Sequence, residues 1–151
     1  MRAAIEAARE SVSRGAGGPF GACIVRDGQV LAVSSNHVLA RHDPTAHAEV
    51  SAIRAACSQL GTHLLEGTEI YTTTEPCPMC FASCNWARIG KIVYGTNIAD
   101  VDKLGFNELT ISNFQMKKLG GSALEIVPDF MRDECLELLE FWSNLEGSRT
   151  Y

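Results

Sequence analysis

The 151-residue chain has no run of roughly 18 or more apolar residues, so no segment reads as a membrane-spanning helix. Its first residues, Met1 to Arg14, carry charges throughout and lack the apolar stretch and small-residue cleavage site of a signal peptide, which points to a cytoplasmic protein. There is no internal repeat, no low-complexity segment and no linker long enough to divide the chain; a single domain over 1–151 is expected. Cations are in deficit, 13 Lys and Arg against 18 Asp and Glu, a net charge of −5. That balance argues against a partner bound mainly through phosphates, because such proteins usually carry a basic face.

A disulfide framework is also missing, despite six cysteines: Cys23, Cys57, Cys77, Cys80, Cys84 and Cys135. A chain of this length buries roughly 70% of the surface exposed when unfolded and needs no covalent staples. Cys23, Cys57 and Cys135 lie inside apolar patterns, where a reduced cysteine behaves as a small hydrophobe. Only Cys77 and Cys80 have a spacing that asks for another explanation.

Residues 2–14 place Ala4, Ile5, Ala8 and Val12 on one side of a helix, closed by Gly15, Gly17, Gly18 and Pro19. Residues 20–26 read as a strand, Asp27-Gly28 as a two-residue hairpin turn, and 30–34 as the returning antiparallel strand. His42-Asp43-Pro44-Thr45 prepares a helix that runs to Leu60, with Asp43 or Thr45 as cap and Val50, Ile53 and Cys57 on its buried face. A strand over 69–73 ends at Pro76–Pro78, which opens a helix reaching Ala87. Strands follow at 91–95 and 123–127, separated by helical pieces and loops over 98–120. A last helix, 129–145, turns Met131, Cys135, Leu138, Leu139 and Trp142 inward. A strand pair followed by alternating helices and strands predicts a three-layer α/β/α sandwich around a mixed sheet.

Two segments carry chemistry, His47-Ala48-Glu49 and Pro76-Cys77-Pro78-Met79-Cys80, and each opens a predicted helix. Cys77 and Cys80, three apart, point to one side of a first turn, where free N–H groups and the positive end of the helix dipole favour thiolate. His47 supplies a third ligand. Three protein ligands leave one zinc position open, the mark of a catalytic site. Zinc lowers the pKa of a water there to about 7, and Glu49, two residues from His47, is placed to take the water's proton and pass it on. A redox Cys-x-x-Cys would leave His-Ala-Glu unexplained, and a structural zinc would want a fourth ligand, for which Cys84 lies one turn beyond Cys80. His37, His42 and His63 read as loop or surface residues.

His-x-Glu followed by Pro-Cys-x-x-Cys is the signature of the zinc deaminases, and the chain resembles the cytidine deaminase-like superfamily from about Ile5 to Trp142. The resemblance implies a five-stranded mixed sheet, one zinc ion per chain, hydrolysis of an exocyclic amine and a homodimer. Gly17-Gly18-Pro19-Phe20-Gly21-Ala22, Asn36, Asp43 to Val50, Glu75 to Cys80, Trp86-Ala87-Arg88, Gly105-Phe106-Asn107-Glu108 and Tyr151 most resemble the small-molecule guanine deaminases. Asn107 departs from them, where those enzymes carry aspartate, and residues 109–121 follow their pattern poorly. Arg41 to Thr45, Arg88-Ile89-Gly90 and 130–142 look as much like the tRNA wobble-adenosine deaminases, which usually have a basic tail; here the tail carries Glu134, Glu137, Glu140 and Glu146.

The guanine deaminase likeness implies a substrate pocket formed by Asn36, Phe20, Trp86, Glu108 and Ala48. Phe20 and Trp86 would sandwich a flat ring, Asn36 would offer donor and acceptor, and Glu108 would accept the N–H groups of a guanine edge. The competing accounts are core packing for Phe20 and Trp86, an exposed helix carboxylate for Glu108 and a disordered end for Tyr151. Three substrate classes follow: guanine, tRNA adenosine or another aminated heterocycle. A non-enzymatic zinc-bound interaction protein is the remaining alternative, and Glu49, which a structural site does not need, speaks against it.

Overall fold

A computed structural model describes residues 1–151. Helix α1 (Arg2–Ser13) leads into the hairpin of β1 (Gly21–Arg26) and β2 (Gln29–Ser35). Asp27 and Gly28 both take positive φ, 51° and 75°, the conformation whose twist matches paired strands. A short helix α2 (Val38–Arg41), unforeseen from the sequence, precedes α3 (Ala48–Leu60), β3 (Thr68–Thr74), α4 (Pro78–Trp86) and β4 (Lys91–Thr96). Helices α5 (Ile98–Asp102) and α6 (Asn113–Gly120) occupy the stretch read as helical pieces, followed by β5 (Glu125–Val127) and α7 (Arg132–Ser143).

The five strands form one sheet in the order β2-β1-β3-β4-β5. Strand β1 runs antiparallel to both neighbours, while β3, β4 and β5 are parallel. Helices α1 and α7 pack on the sheet and on each other, and α3, with α4 beside it and α6 against α4, covers the other face. This is the expected α/β/α sandwich with a five-stranded mixed sheet. No helix is long and apolar enough to cross a membrane.

Two expectations for α3 are corrected. Its deeply buried residues are Ala48, Glu49, Ser51, Ala52 and Ala56, while Val50, Ile53 and Cys57 are only partly covered. Small side chains let the helix approach the sheet closely, so the larger apolar residues flank the contact line instead of forming it. His47 holds the capping position, and Asp43 spends its carboxylate on the backbone and hydroxyl of Thr45, at 2.8 and 2.7 Å. Met131 likewise sits just before α7, in a left-handed conformation, while Cys135, Leu138, Leu139 and Trp142 form the buried stripe as expected.

Close approach also governs the opposite face. A β-carbon on Gly21 would overlap the carbonyl oxygen of Ala4, and one on Gly95 would overlap the Cys135 sulfur. These two glycines let α1 and α7 lie directly on the strands.

Because β1 is antiparallel to β3, one edge of the sheet gathers the start of β1 and the ends of β2, β3 and β4. Phe20, Asn36, Glu75 and Asn97 all fall there, beside the first residues of α3 and α4. Open α/β sheets bind ligands at this edge.

Gly21→Ala is expected to destabilise the fold by about 1–3 kcal/mol, because the clash is with main chain that cannot rotate away. Chemical denaturation checks it; an unchanged midpoint would show that α1 can shift without cost.

Candidate active site

His47 and Cys77 are the N-cap residues of α3 and α4, and both have extended backbone, so their side chains stand at the mouths of their helices. Pro78 occupies the first helical position, where its missing N–H costs nothing. Cys80, in the first turn of α4, completes the group. The His47 Nδ1 lies 3.7 Å from the Cys77 sulfur and 3.6 Å from that of Cys80, and all three donor atoms fall within 4.8 Å of one another.

The charges of this trio suit a divalent cation. The Cys77 thiol is brought down to about 4, first by the Cys80 thiol that hydrogen-bonds its sulfur and then, against the effect of burial, by His47. Burial alone would depress His47, but the Cys77 sulfur and the neighbouring Glu49 lift it to about 9. Cys80, by contrast, is pushed well above the ordinary thiol value by its bond to Cys77 and by burial. A thiolate beside a cationic imidazole marks a place where positive charge is favoured on the sulfur side, and zinc binding draws both sulfurs to thiolate and the imidazole to its neutral form. The set of one nitrogen and two sulfurs is a three-ligand zinc site with room for one more group.

Cys84 does not join this cluster. It is fully buried, and burial drives its thiol far up, as expected of an inert core cysteine. His42 and His63 are exposed, and His37 meets the Ser35 carbonyl at 2.7 Å, so none of the other histidines reaches the metal.

Glu49, in the first turn of α3, is only 7% exposed. Burial raises its pKa, partly opposed by His47. A carboxylate whose proton affinity is raised by burial beside the three donor atoms is suited to taking up and releasing protons.

Glu108 lies in the irregular stretch between α5 and α6, not on a helix. It is half-buried and points into the same pocket. Burial, with help from Cys77 and Glu49, lifts its pKa to about 7. Its Oε2 is buried and without a partner, and so is the Nδ2 of Asn36. Asn36 is otherwise fixed. Its N–H donates to Phe20 O (2.9 Å), its Oδ1 accepts from the Val38 amide (3.1 Å), and its carbonyl accepts from Ser11 Oγ (3.0 Å).

Phe20 lines the pocket and packs edge-on against Phe106, with ring centroids 5.1 Å apart. Phe106 in turn meets Tyr151 at 5.4 Å. Tyr151 is docked, not disordered: its hydroxyl accepts from the Gly18 amide at 3.3 Å, and its carbonyl from Asn107 at 3.2 Å. The cavity between Phe20, His47, Glu49, Cys77 and Glu108 is about 10 Å³, room for one water. Phe106, Tyr151 and the threonines Thr72–Thr74 under the pocket were not assigned site roles from the sequence. The threonine run directly before the Glu-Pro-Cys turn was the available signal.

Trp86 and Ala48, expected at the substrate pocket, stand outside its lining. Trp86 is 82% exposed; it lies at the far end of α4, six residues beyond Cys80 or about 9 Å along the axis, and faces solvent. It does not face Phe20 across a ring in this chain. Ala48 buries its methyl group in the apolar core instead of the pocket.

Residues 1–96 match the family of the cytidine and deoxycytidylate deaminase zinc-binding region. The chain is 38% identical to a guanine deaminase of Bacillus subtilis (strain 168), over 100% of its own length and 96% of that enzyme's. Among solved structures, a guanine deaminase from Nitrosomonas europaea superposes with a TM-score of 0.86 at 28% identity, covering 94% of this chain and 81% of that one. A tRNA:A34 deaminase that performs A-to-I editing at the wobble position superposes with a TM-score of 0.80 at 33% identity, covering 92% and 97%. The chain belongs to the cytidine and deoxycytidylate deaminase zinc-binding family. It is a zinc-dependent hydrolytic deaminase of nucleobases or nucleosides.

His47→Ala or Cys80→Ala is expected to lose the metal, read by mass spectrometric metal analysis of the purified protein. Zinc retained at one per chain in both variants would break the ligand assignment.

Proposed function

We propose that the chain hydrolyses guanine to xanthine and ammonia. The observation that carries this reading is the pair of unpartnered buried groups, Asn36 Nδ2 and Glu108 Oε2. A buried donor and a buried acceptor left unpaired each cost about 1–3 kcal/mol unless a ligand satisfies them. Guanine offers the complementary edge: ring N–H for the carboxylate and a ring acceptor for the amide. The B. subtilis relative, matched from end to end, supports the same substrate.

His47, Cys77 and Cys80 would hold the zinc, which would supply activation of a water at neutral pH. Glu49 is placed to accept a proton from the attacking water, deliver one to the ring nitrogen beside the carbon under attack, and deliver another to the departing amine. The balance is guanine plus water giving xanthine plus ammonia. Asn36 and Glu108 hold the ring so that its amine-bearing carbon faces Glu49. Phe20, backed by Phe106, gives the ring an aromatic surface.

An adenosine within RNA fits this pocket less well. Its Watson–Crick edge lacks a ring N–H for Glu108. Along α7, Glu134, Glu137 and Glu140 are exposed, a surface that repels a phosphate backbone. We further infer a homodimer formed through α4 and α6, where Trp86, Phe114 and Leu119 leave large apolar surfaces uncovered. Six free cysteines fit a cytoplasmic setting.

Ammonia release is the deciding assay, run on guanine, guanosine, cytosine, cytidine, adenine and a tRNA anticodon stem-loop. Guanine is expected to be the substrate turned over; release from the stem-loop alone would replace this reading with RNA editing. Glu49→Gln is expected to keep zinc and fold while losing about 10²–10⁴-fold in kcat, and full turnover in the metal-loaded variant would exclude Glu49 as the proton carrier. Light scattering is expected to give twice the chain mass; a monomer would remove the α4–α6 interface.

A further inference from the structure

Glu75 is a buried carboxylate that the chemistry above does not use. It follows the last residue of β3, directly before Pro76-Cys77, and is 5% exposed. Its own amide donates to Thr96 O at 2.7 Å, which fastens it to the end of β4. Its two side-chain oxygens reach in different directions. Oε1 accepts from the Asn113 amide at 2.7 Å, and Oε2 accepts from the Ile98 amide at 3.2 Å. Ile98 and Asn113 are the first residues of α5 and α6. The side chain of Asn113 returns toward the same turn, with Nδ2 donating to the Pro76 carbonyl at 2.6 Å.

No Lys or Arg pairs with Glu75 among the ion pairs of the structure. Its two oxygens are satisfied instead by main-chain N–H groups at two helix starts. A buried carboxylate without such partners would be costly, so the geometry of Ile98 and Asn113 is tied to it. Those residues bound the stretch that carries Phe106 and Glu108. One side chain therefore joins the metal-ligand turn on one side to both ends of the substrate-facing segment on the other.

We propose that Glu75 is a positioning residue that fixes the Glu108-bearing segment against the Cys77 turn, so that ring recognition and metal stay in register. The kinetic half of this inference rests on the guanine reading; the structural half does not. Glutamine cannot replace Glu75 in this role, because its NH₂ would face one of the two amide donors.

The test compares wild type, Glu75→Gln, Glu108→Gln and the double variant. Zinc content is expected to stay at one per chain in all four. Hydrogen exchange without substrate is expected to speed up over residues 98–113 in Glu75→Gln and to remain unchanged in α1 and α7. The kcat/KM for guanine is expected to fall about 10-fold or more in Glu75→Gln, mainly through KM, and by no more than about 2-fold when the same change is made on Glu108→Gln. Glu75→Asp, which keeps the carboxylate but shortens its reach to the two amides, is expected to share the exchange signature and serves if Glu75→Gln fails to fold. Equal losses in both backgrounds, or unchanged exchange over 98–113, would overturn the proposal. If wild type leaves guanine untouched, the guanine reading fails, while the exchange result still decides whether Glu75 anchors the segment.

Discussion

Charge buried in a small space is the constraint around which this molecule is organised. His47, Glu49, Cys77 and Glu108 surround a cavity of about 10 Å³, and each is displaced from its ordinary protonation behaviour by burial and by the others. Such a group stays folded only if something compensates the charge. The amino ends of α3 and α4 converge on it, and a divalent cation on the His47, Cys77 and Cys80 donors supplies what the backbone does not. The sheet topology serves the same end. With β1 reversed against β3, residues from four strand termini reach one edge, and the two glycines under α1 and α7 let the opposite layer pack closely on the sheet.

The pattern of elements was legible because it depends on local signals. Asp27-Gly28 specifies a hairpin whatever surrounds it, and the ligand spacings place thiolates and imidazole at helix mouths without reference to the rest of the chain. The failures concern distance. Trp86 sits close to the ligands in sequence, but a helix carries it away from them; only the rise per residue reveals that. Val50, Ile53 and Cys57 have the right spacing for a buried face, yet the depth of contact between α3 and the sheet is decided by alanines that a hydrophobicity count undervalues. Glu108 and Tyr151 could be matched to a family by resemblance, but their burial depends on packing against Phe106 and Gly18, contacts between distant parts of the chain that no periodicity encodes.

Polar satisfaction separates two kinds of buried acid here. Glu75 has backbone N–H partners for both oxygens and so is content in the absence of any ligand. Glu108 has an oxygen with no partner, and Asn36 has an amide nitrogen in the same condition. The first kind stabilises a geometry, and the second leaves part of its binding capacity for something else. Distinguishing them needs the hydrogen-bond pattern, since all three are polar and covered.

The division between the metal ligands and the segment bounded by α5 and α6 has an evolutionary consequence. The ligands and Glu49 come from two helix mouths fixed by the sheet, whereas Glu108 is carried on a connection that crosses no strand. Substitutions, insertions or deletions in that connection can be absorbed while the strands and the helix mouths that carry the ligands keep their places, provided the anchors at its two ends are kept.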